Sequence, residues 1–268
     1  MFKKILTISS FLFLISCAEN RAEITQKTAT LLGQKNLTTK IYHTKNFAIF
    51  TAQKISDPAQ DLRVYLEGDG KAYITESEPA QDPTPTSYFL TKLIAEDNFP
   101  NIIYIARPCQ YITSEKCEEK YWTDARFSEE IIVAIDEILQ KFPQQKLQLI
   151  GYSGGGAIAN YLAARHKNIA SIRTIAGNLD HKKFCAIHEV PDLTSSLAPN
   201  QIENIPQIHF VGSKDDVVPP IITQEYLQKL SQKNCVKIAE INGATHFSGW
   251  QKDWPQLLKL EPTCEYSL

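Results

Sequence analysis

Apolar positions follow two alternating patterns along the chain, and together they predict a sheet covered by helices. Short apolar runs predict strands over residues 41–50, 62–66, 102–105, 147–150, 172–175, 208–211 and 236–241. Apolar residues at helical spacing predict helices that end near residues 95, 139, 165, 230 and 260, with Thr84 and Ser128 as N-caps of the first two. This alternation favours an α/β fold with a mostly parallel, doubly wound sheet.

Two long loops are predicted at the edge of this sheet where parallel strands end. That edge forms the active face in folds of this kind. The loops cover residues 108–127 and 177–206, and the second lies where such sheets insert a cap. Its roughly 30 residues are too few for an independent domain, so we expect a short cap.

The first residues follow a different pattern, in which two lysines precede an apolar run over residues 5–15. This run is too short to span a bilayer and is typical of an export signal. Residues 14–17, Leu-Ile-Ser-Cys, resemble a bacterial lipobox, which implies cleavage before Cys17 and acylation of its sulfur. We therefore expect a signal peptide over 1–16, a polar lipid-anchored tether over 17–38 and one catalytic domain over 39–268.

The anchor predicts a place in the cell and a state for the cysteines. Ala18 after Cys17 implies, for a Gram-negative cell, the outer membrane facing the periplasm. Pairing is expected in that oxidising part of the bacterial cell envelope. Cys109 and Cys117 are the favoured disulfide because both lie in one polar stretch, where a short ring would pin a loop. The pairing of three more stays open: Cys185, Cys235 and Cys264.

Charge and composition exclude several functions. The chain has 28 Lys and Arg residues against 30 Asp and Glu residues, a net charge of −2, and no basic field for nucleic acid. Its Cys and His residues show no CxxC or HExxH spacing, so we expect no metal site. The remaining partners are a small-molecule or acyl substrate and the lipid anchor.

Residues 151–155, Gly-Tyr-Ser-Gly-Gly, carry the strongest chemical signal. They follow a predicted strand and open a predicted helix, which is the context of a nucleophile elbow. The flanking glycines let strand and helix approach closely, so the hydroxyl of Ser153 projects above the sheet. The amide of Gly154, at the start of the helix, can then donate to an oxyanion.

A serine nucleophile needs a base and an acid that orients it. In elbow proteins the chain order is serine, acid, histidine, which selects His246 in the loop after the last strand. His209 lies inside a predicted strand and is expected to be a buried structural imidazole. Asp215 and Asp216 compete as the acid.

Further strings resemble the α/β-hydrolase superfamily over about residues 40–260, and more narrowly a group of bacterial α/β-hydrolase-like lipoproteins. They are residues 67–70, 107–111, 122–128, 151–156, 176–180 and 246–250. The resemblance implies that Asp215, in a G-x-x-D-x-V-V-P loop, is the acid. Asp180 is then an alternative acid that more naturally shapes the pocket.

The same resemblance implies a second oxyanion donor. The turn at residues 67–70 corresponds to an H-G-x loop, so the amide of Asp69 would pair with that of Gly154. Glu67 replaces the usual histidine of that loop. The carboxylate of Asp69 would repel an oxyanion unless it turns away or is paired.

These residues predict a membrane-tethered serine hydrolase that cleaves an ester, thioester or amide through an acyl-enzyme. Ser153 attacks, His246 transfers the proton, and Asp215 holds the imidazole, so no cofactor is needed. Four aromatic residues are expected to be available to line the site: Tyr73, Tyr111, Trp122 and Trp250. Two alternatives stay open, a non-catalytic ligand-binding lipoprotein on the same fold and a serine peptidase.

Overall fold

The computed structural model describes residues 20–75 and 77–265. Their central feature is a sheet of eight strands in the order β1-β2-β4-β3-β5-β6-β7-β8. The strands are β1 Thr38–His43, β2 Ala48–Ile55, β3 Leu62–Leu66, β4 Asn101–Ile105, β5 Leu147–Tyr152, β6 Ile169–Ile175, β7 Gln207–Gly212 and β8 Val236–Ile241. All pairings from β4 onward along the sheet are parallel, and β2 pairs antiparallel with both of its neighbours.

Helices cover both faces of this sheet. They are α1 Arg21–Gly33, α2 Phe89–Ala95, α3 Glu129–Leu139, α4 Gly154–Ala163, α5 His181–Ile187, α6 Pro220–Lys229 and α7 Trp254–Leu257, with a 3-10 turn at Glu119–Trp122. One apolar core lies under α3 and α4, and a second lies under α1, α2 and α7. Strands β3 and β4 are buried at every residue, as expected where both faces are covered. The predicted doubly wound α/β sheet is confirmed.

The single strand predicted over residues 41–50 is wrong, because this segment contains a turn between β1 and β2. Thr44 closes the turn: its N–H donates to the carbonyl of Phe47, at 2.9 Å, and its Oγ1 accepts from the N–H of Phe47. Residues 43–46, His-Thr-Lys-Asn, interrupt the apolar positions with four consecutive polar residues, and this break is the local signal of the turn.

The irregular tether predicted after Cys17 is wrong for residues 21–33, which form α1. Asn20 and Glu23 form a reciprocal capping box at its start. Its buried side chains, Ile24, Thr28 and Leu32, recur every four residues and face the second core. A stripe of one side chain per turn, with a threonine at its middle, gives little periodicity, so tertiary packing decides this helix.

Helix α2 begins later than predicted. Thr84 does not cap it, because its hydroxyl donates to Asp82 and accepts from the N–H of Tyr111. The helix starts after Tyr88, which has a φ of 53°. Ser128, in contrast, is the N-cap residue of α3, as predicted.

The Cys109–Cys117 disulfide is present as predicted. A second disulfide joins Cys235 to Cys264 and ties the C-terminal segment to the start of β8, whereas Cys185 is a buried free thiol in α5. Cys17 and the predicted signal peptide lie outside the described residues, and their cleavage and acylation stay predictions. Within residues 20–75 and 77–265, no helix has the length and hydropathy to cross a bilayer.

Candidate active site

Ser153 lies in the turn between β5 and α4, in a strained backbone conformation with φ 51° and ψ −123°. The turn is tight because glycine stands on both sides. A Cβ at Gly151 would lie 2.3 Å from the carbonyl of Gly155, and one at Gly155 would lie 2.3 Å from the carbonyl of Leu66. The Ser153 N–H donates to the carbonyl of Ile175 on β6, which holds the turn at the carboxyl edge of the sheet.

His246 joins Ser153 to Asp215 in one chain of hydrogen bonds. Its Nε2 lies 3.1 Å from Ser153 Oγ, and its Nδ1 lies 2.9 Å from Asp215 Oδ2. The other oxygen of Asp215 accepts from the N–H groups of Val217 and Val218. The histidine and the aspartate are buried, so the three side chains have the arrangement of a nucleophile, a base and an orienting acid.

The competing residues lie elsewhere. Asp216 is exposed at the surface of the same loop. Asp180 caps α5 by accepting from the N–H of Lys183 and also pairs with Lys229. His209 is buried in β7, 2.9 Å from the hydroxyl of Thr174, and burial lowers its pKa to about 3.

The two predicted oxyanion donors lie on loops that adjoin Ser153. Gly154 is the first residue of α4, where N–H groups lack intrahelical partners. Gly68 is so close to the serine that a Cβ on it would lie 3.1 Å from Ser153 Cβ, which places the loop of Asp69 beside the nucleophile. Neither the Gly154 nor the Asp69 amide has a hydrogen-bond partner among the described residues. Both N–H groups can therefore donate to a substrate oxygen.

The carboxylate of Asp69 is paired with two arginines. It accepts from Arg107 Nη1 at 2.8 Å and from Arg126 Nη1 at 3.4 Å. Arg107 also donates to the backbone carbonyl of Arg126, so the two arginines are held together. The carboxylate lies against the elbow, because a Cβ on Gly154 would be 2.2 Å from Asp69 Oδ1. Because both arginines offset its negative charge, the carboxylate can lie beside an oxyanion without strongly repelling it.

Sequence reasoning assigned no role to Arg107 and Arg126. Both lie inside the strings that carry the family resemblance, at residues 107–111 and 122–128, and that was the one available signal. Their partner Asp69 is 38 and 57 positions away in the chain, so no local pattern could reveal the pairing.

Glu67 is a buried carboxyl group at the start of the same loop. Its Oε2 accepts from the hydroxyl of Tyr104 at 2.7 Å, and its Oε1 accepts from the N–H of Gly68 at 3.0 Å. Burial raises the pKa of Glu67 to about 7, against the lowering effect of these hydrogen bonds and of Arg107. The side chain thus holds the loop that carries Asp69.

Ser153 and His246 open into a cavity of about 460 Å³. Loop residues from all around the carboxyl edge line it, among them Lys71, Tyr73, Ser87, Arg126, Asn178, Phe184 and Phe247. Tyr73, Arg126 and Phe184 also line a neighbouring cleft of about 1080 Å³. Asn178 and Phe184 come from the segment between β6 and β7, where a short cap was predicted.

Of the four aromatic residues proposed as lining, Tyr73 alone lines the cavity of Ser153. Tyr111 is buried, and its hydroxyl lies 3.2 Å from that of Tyr104. The indoles of Trp122 and Trp250 donate to the carbonyls of Ala80 and Thr245. These three side chains serve packing instead. Across residues 20–75 and 77–265, no group of three His, Cys, Asp or Glu side chains could hold a metal ion.

Comparisons with known proteins agree on the fold. A family model described as the alpha/beta hydrolase fold matches residues 92–192. A Xanthomonas campestris a/b serine hydrolase without lid is 12% identical over 83% of this chain and 92% of its own, with a TM-score of 0.54. An alpha-beta serine hydrolase homologue from Coxiella burnetii is 15% identical over 82% and 94%, with a TM-score of 0.58.

An esterase from Pyrococcus furiosus is 13% identical over 83% of this chain and 90% of its own, with a TM-score of 0.56. At these identities the likeness establishes the fold and leaves the chemistry to be argued from the site. No curated protein sequence matches the chain at a significant level.

Proposed function

We propose that this chain, which has the α/β-hydrolase fold, is a serine hydrolase that cleaves an ester, thioester or amide through a covalent acyl-enzyme. One observation carries the proposal. Ser153, strained in a glycine-flanked elbow, is hydrogen-bonded to His246, which is in turn hydrogen-bonded to a buried Asp215. This is the arrangement that activates a hydroxyl group, which by itself is a weak nucleophile at neutral pH.

Acylation follows from these contacts. As Ser153 Oγ attacks the substrate carbonyl, its proton passes to His246 Nε2, and the imidazolium that forms is stabilised by Asp215 at Nδ1. The proton then goes to the departing alcohol, thiol or amine. A water molecule, deprotonated by the same imidazole, attacks the acyl-enzyme, releases the acid and restores the serine.

The negative oxygen of each tetrahedral intermediate is assigned to the amides of Gly154 and Asp69. One such donor typically contributes about 10²- to 10³-fold to the rate. An unpaired Asp69 carboxylate would repel the negative oxygen and oppose this effect. Arg107, 2.8 Å away, neutralises the carboxylate and so allows the Asp69 amide to stabilise the oxyanion.

A fluorophosphonate probe tests the proposal because it phosphonylates only an activated serine. Wild-type protein should be labelled with loss of the fluoride, and Ser153→Ala should abolish the labelling. Ser87→Ala is the matched control, since Ser87 lines the same cavity and has no imidazole partner. Wild-type protein that resists the probe would instead favour the non-catalytic ligand-binding protein. A series of acyl esters assayed beside aminoacyl amides separates an esterase from a peptidase.

The anchor belongs to the same proposal, and it rests on the lipobox-like residues 14–17. Helix α1 begins at Arg21, so an acylated Cys17 would hold the folded body within about 14 Å of the lipid, at about 3.5 Å for each of four residues. Cys17→Ser should release the protein from the envelope membranes of the expressing bacterium. A mature Cys17→Ser protein, without residues 1–16, that still fractionates with membranes contradicts the anchor and leaves the hydrolase proposal intact.

A further inference from the structure

We propose that Arg126 binds a carboxylate or phosphate group of the substrate and so makes this site selective for anionic esters. The inference rests on the proposed hydrolase function and adds the substrate class to it. It comes from three features of Arg126: its position between two cavities, its unused donors and the charge of its surroundings.

Arg126 lies on the wall that the Ser153 cavity shares with the neighbouring cleft. Only the side chain of Asp69 separates Arg126 from the nucleophile elbow. Arg126 Nη1 lies 3.4 Å from the Asp69 carboxylate, which lies against Gly154. A substrate that places its carbonyl at Ser153 can therefore place a second group at Arg126. A substrate that extends from the nucleophile toward the cleft can contact this guanidinium.

Most donors of this guanidinium are unused. Arginine carries five N–H donors on three nitrogens, and here Nη1 alone has a hydrogen-bond partner among the described residues. Nε is buried without a hydrogen-bond partner, and the whole residue is only 8% exposed. The group is nevertheless held in place, because Arg107 binds its backbone carbonyl and its guanidinium lies 5.9 Å from the ring of Tyr73.

The positive charge of Arg126 is not cancelled by the charges around it. Arg107 is the closer partner of Asp69, at 2.8 Å against 3.4 Å, so the pair Asp69 and Arg107 is close to neutral and Arg126 is left over. Glu67 has a pKa of about 7 and is not fully ionised near neutrality. Lys71 adds a second positive charge at the mouth of the cavity.

The lining that the cleft does not share with the Ser153 cavity has the opposite sign. It carries Asp124, Glu189 and Asp192, and the Asp124 carboxylate already accepts from the N–H of Ser195. These groups repel an anion from the part of the cleft outside the Ser153 cavity. The favoured position for a carboxylate or phosphate is thus at Arg126, on the side of Ser153, where a planar guanidinium can bind it through two parallel hydrogen bonds.

Two pairs of esters test this assignment, and they separate an anion on the acyl group from one on the leaving group. The first pair is p-nitrophenyl hexanoate and mono-p-nitrophenyl adipate. The second is phenyl acetate and p-acetoxybenzoate. For each pair, the measured quantity is the ratio of kcat/KM for the anionic ester to kcat/KM for the neutral one.

In the pair that places its anion correctly, Arg126→Gln should lower this ratio about 10- to 100-fold, the usual effect of losing a charge-assisted hydrogen bond. Arg126→Lys should restore part of it. Lys71→Gln is the matched control: it removes an equal charge from an exposed position of the same cavity and should change the ratio by less than about threefold.

The result that overturns the inference is an active enzyme whose two ratios are the same in wild type and Arg126→Gln. An equal fall of the ratio in Lys71→Gln also overturns it, because it would show a general field rather than a binding site. If Arg126→Gln does not fold, the wild-type ratios test the inference instead. The wild-type enzyme must prefer the anionic ester in at least one pair, and a preference for the neutral ester in both pairs contradicts the inference. Wild-type protein that is not labelled by the fluorophosphonate would contradict the hydrolase proposal itself. This outcome differs from a labelled, active enzyme that shows no role for Arg126.

Discussion

Two aspartates stand at the same edge of the sheet, in the loops that follow β3 and β7, and their surroundings differ completely. Asp215 accepts from two backbone N–H groups and faces the imidazole of His246. Asp69 faces two guanidinium groups. The negative charge of Asp215 is thus directed at the one group that becomes positive during the reaction, whereas that of Asp69 is cancelled before a substrate arrives.

The difference shows how a carboxylate can be tolerated beside an oxyanion site. Asp69 contributes its backbone N–H, and its side chain lies against Gly154. Without Arg107 and Arg126, that side chain would place a negative charge where negative charge must develop. The same residue type therefore orients a base in one loop and must be neutralised in the other.

The largest effect should come from Asp215. Asp215→Asn is expected to lower kcat/KM, or the rate of fluorophosphonate labelling, by about 10⁴-fold, because the imidazole loses the charge that holds its tautomer and stabilises its cation. Asp216→Asn, at an exposed neighbour in the same loop, is the control and should cost less than about threefold. A larger loss in Asp216→Asn would move the acid by one residue.

The next effect concerns the neutralisation of Asp69. Arg107→Met leaves the partly buried Asp69 carboxylate with only the more distant Arg126, and should lower the free energy of unfolding by about 3 kcal/mol, measured in urea. It should also slow labelling of Ser153, because the oxyanion now meets an uncancelled charge.

The double variant Arg107→Met, Asp69→Asn decides whether charge is the cause. It should recover at least half of the lost labelling rate, since the backbone N–H of residue 69 is retained. If the double variant is as slow as Arg107→Met alone, the arginine acts through packing and the comparison between the two aspartates fails.

The smallest effect on the reaction should come from Glu67, whose pKa is raised by burial from 4.5 to about 7. In that interval the folded state binds more protons than the unfolded state, so stability falls as pH rises from about 4.5 to 7 and then levels off. Glu67→Gln keeps the shape without the charge and should stabilise the protein by about 3 kcal/mol at pH 8 relative to its effect at pH 4. Urea unfolding across this range measures it, and a parallel pH profile of wild type and variant would contradict it.

Much of the site could be predicted from the sequence because its signals are local. A serine between glycines, after a strand and before a helix, can be recognised within five residues. An aspartate and a histidine in the loops after later strands then follow in chain order, and the structure joins all three in one hydrogen-bonded chain. The Cys109–Cys117 pair was local in the same sense, because the two cysteines are eight positions apart.

What sequence reasoning missed depends on contacts between distant segments. Helix α1 shows one buried side chain per turn, and only its packing on the second core distinguishes it from a polar tether. The turn between β1 and β2, in contrast, has a local signal in the four polar residues 43–46, which the prediction of one strand over 41–50 overlooked.

By itself, then, the sequence determined the class of fold and the candidates for nucleophile, base and acid, since strand, helix and turn signals act over a few residues. Only the tertiary structure decided that Arg107 and Arg126 meet Asp69, that Glu67 is buried with a raised pKa, and that Arg126 keeps donors without a partner. Charge and burial are properties of assembled surroundings. They arise when loops separated by dozens of residues converge at one edge of a sheet, and no stretch of the chain carries them alone.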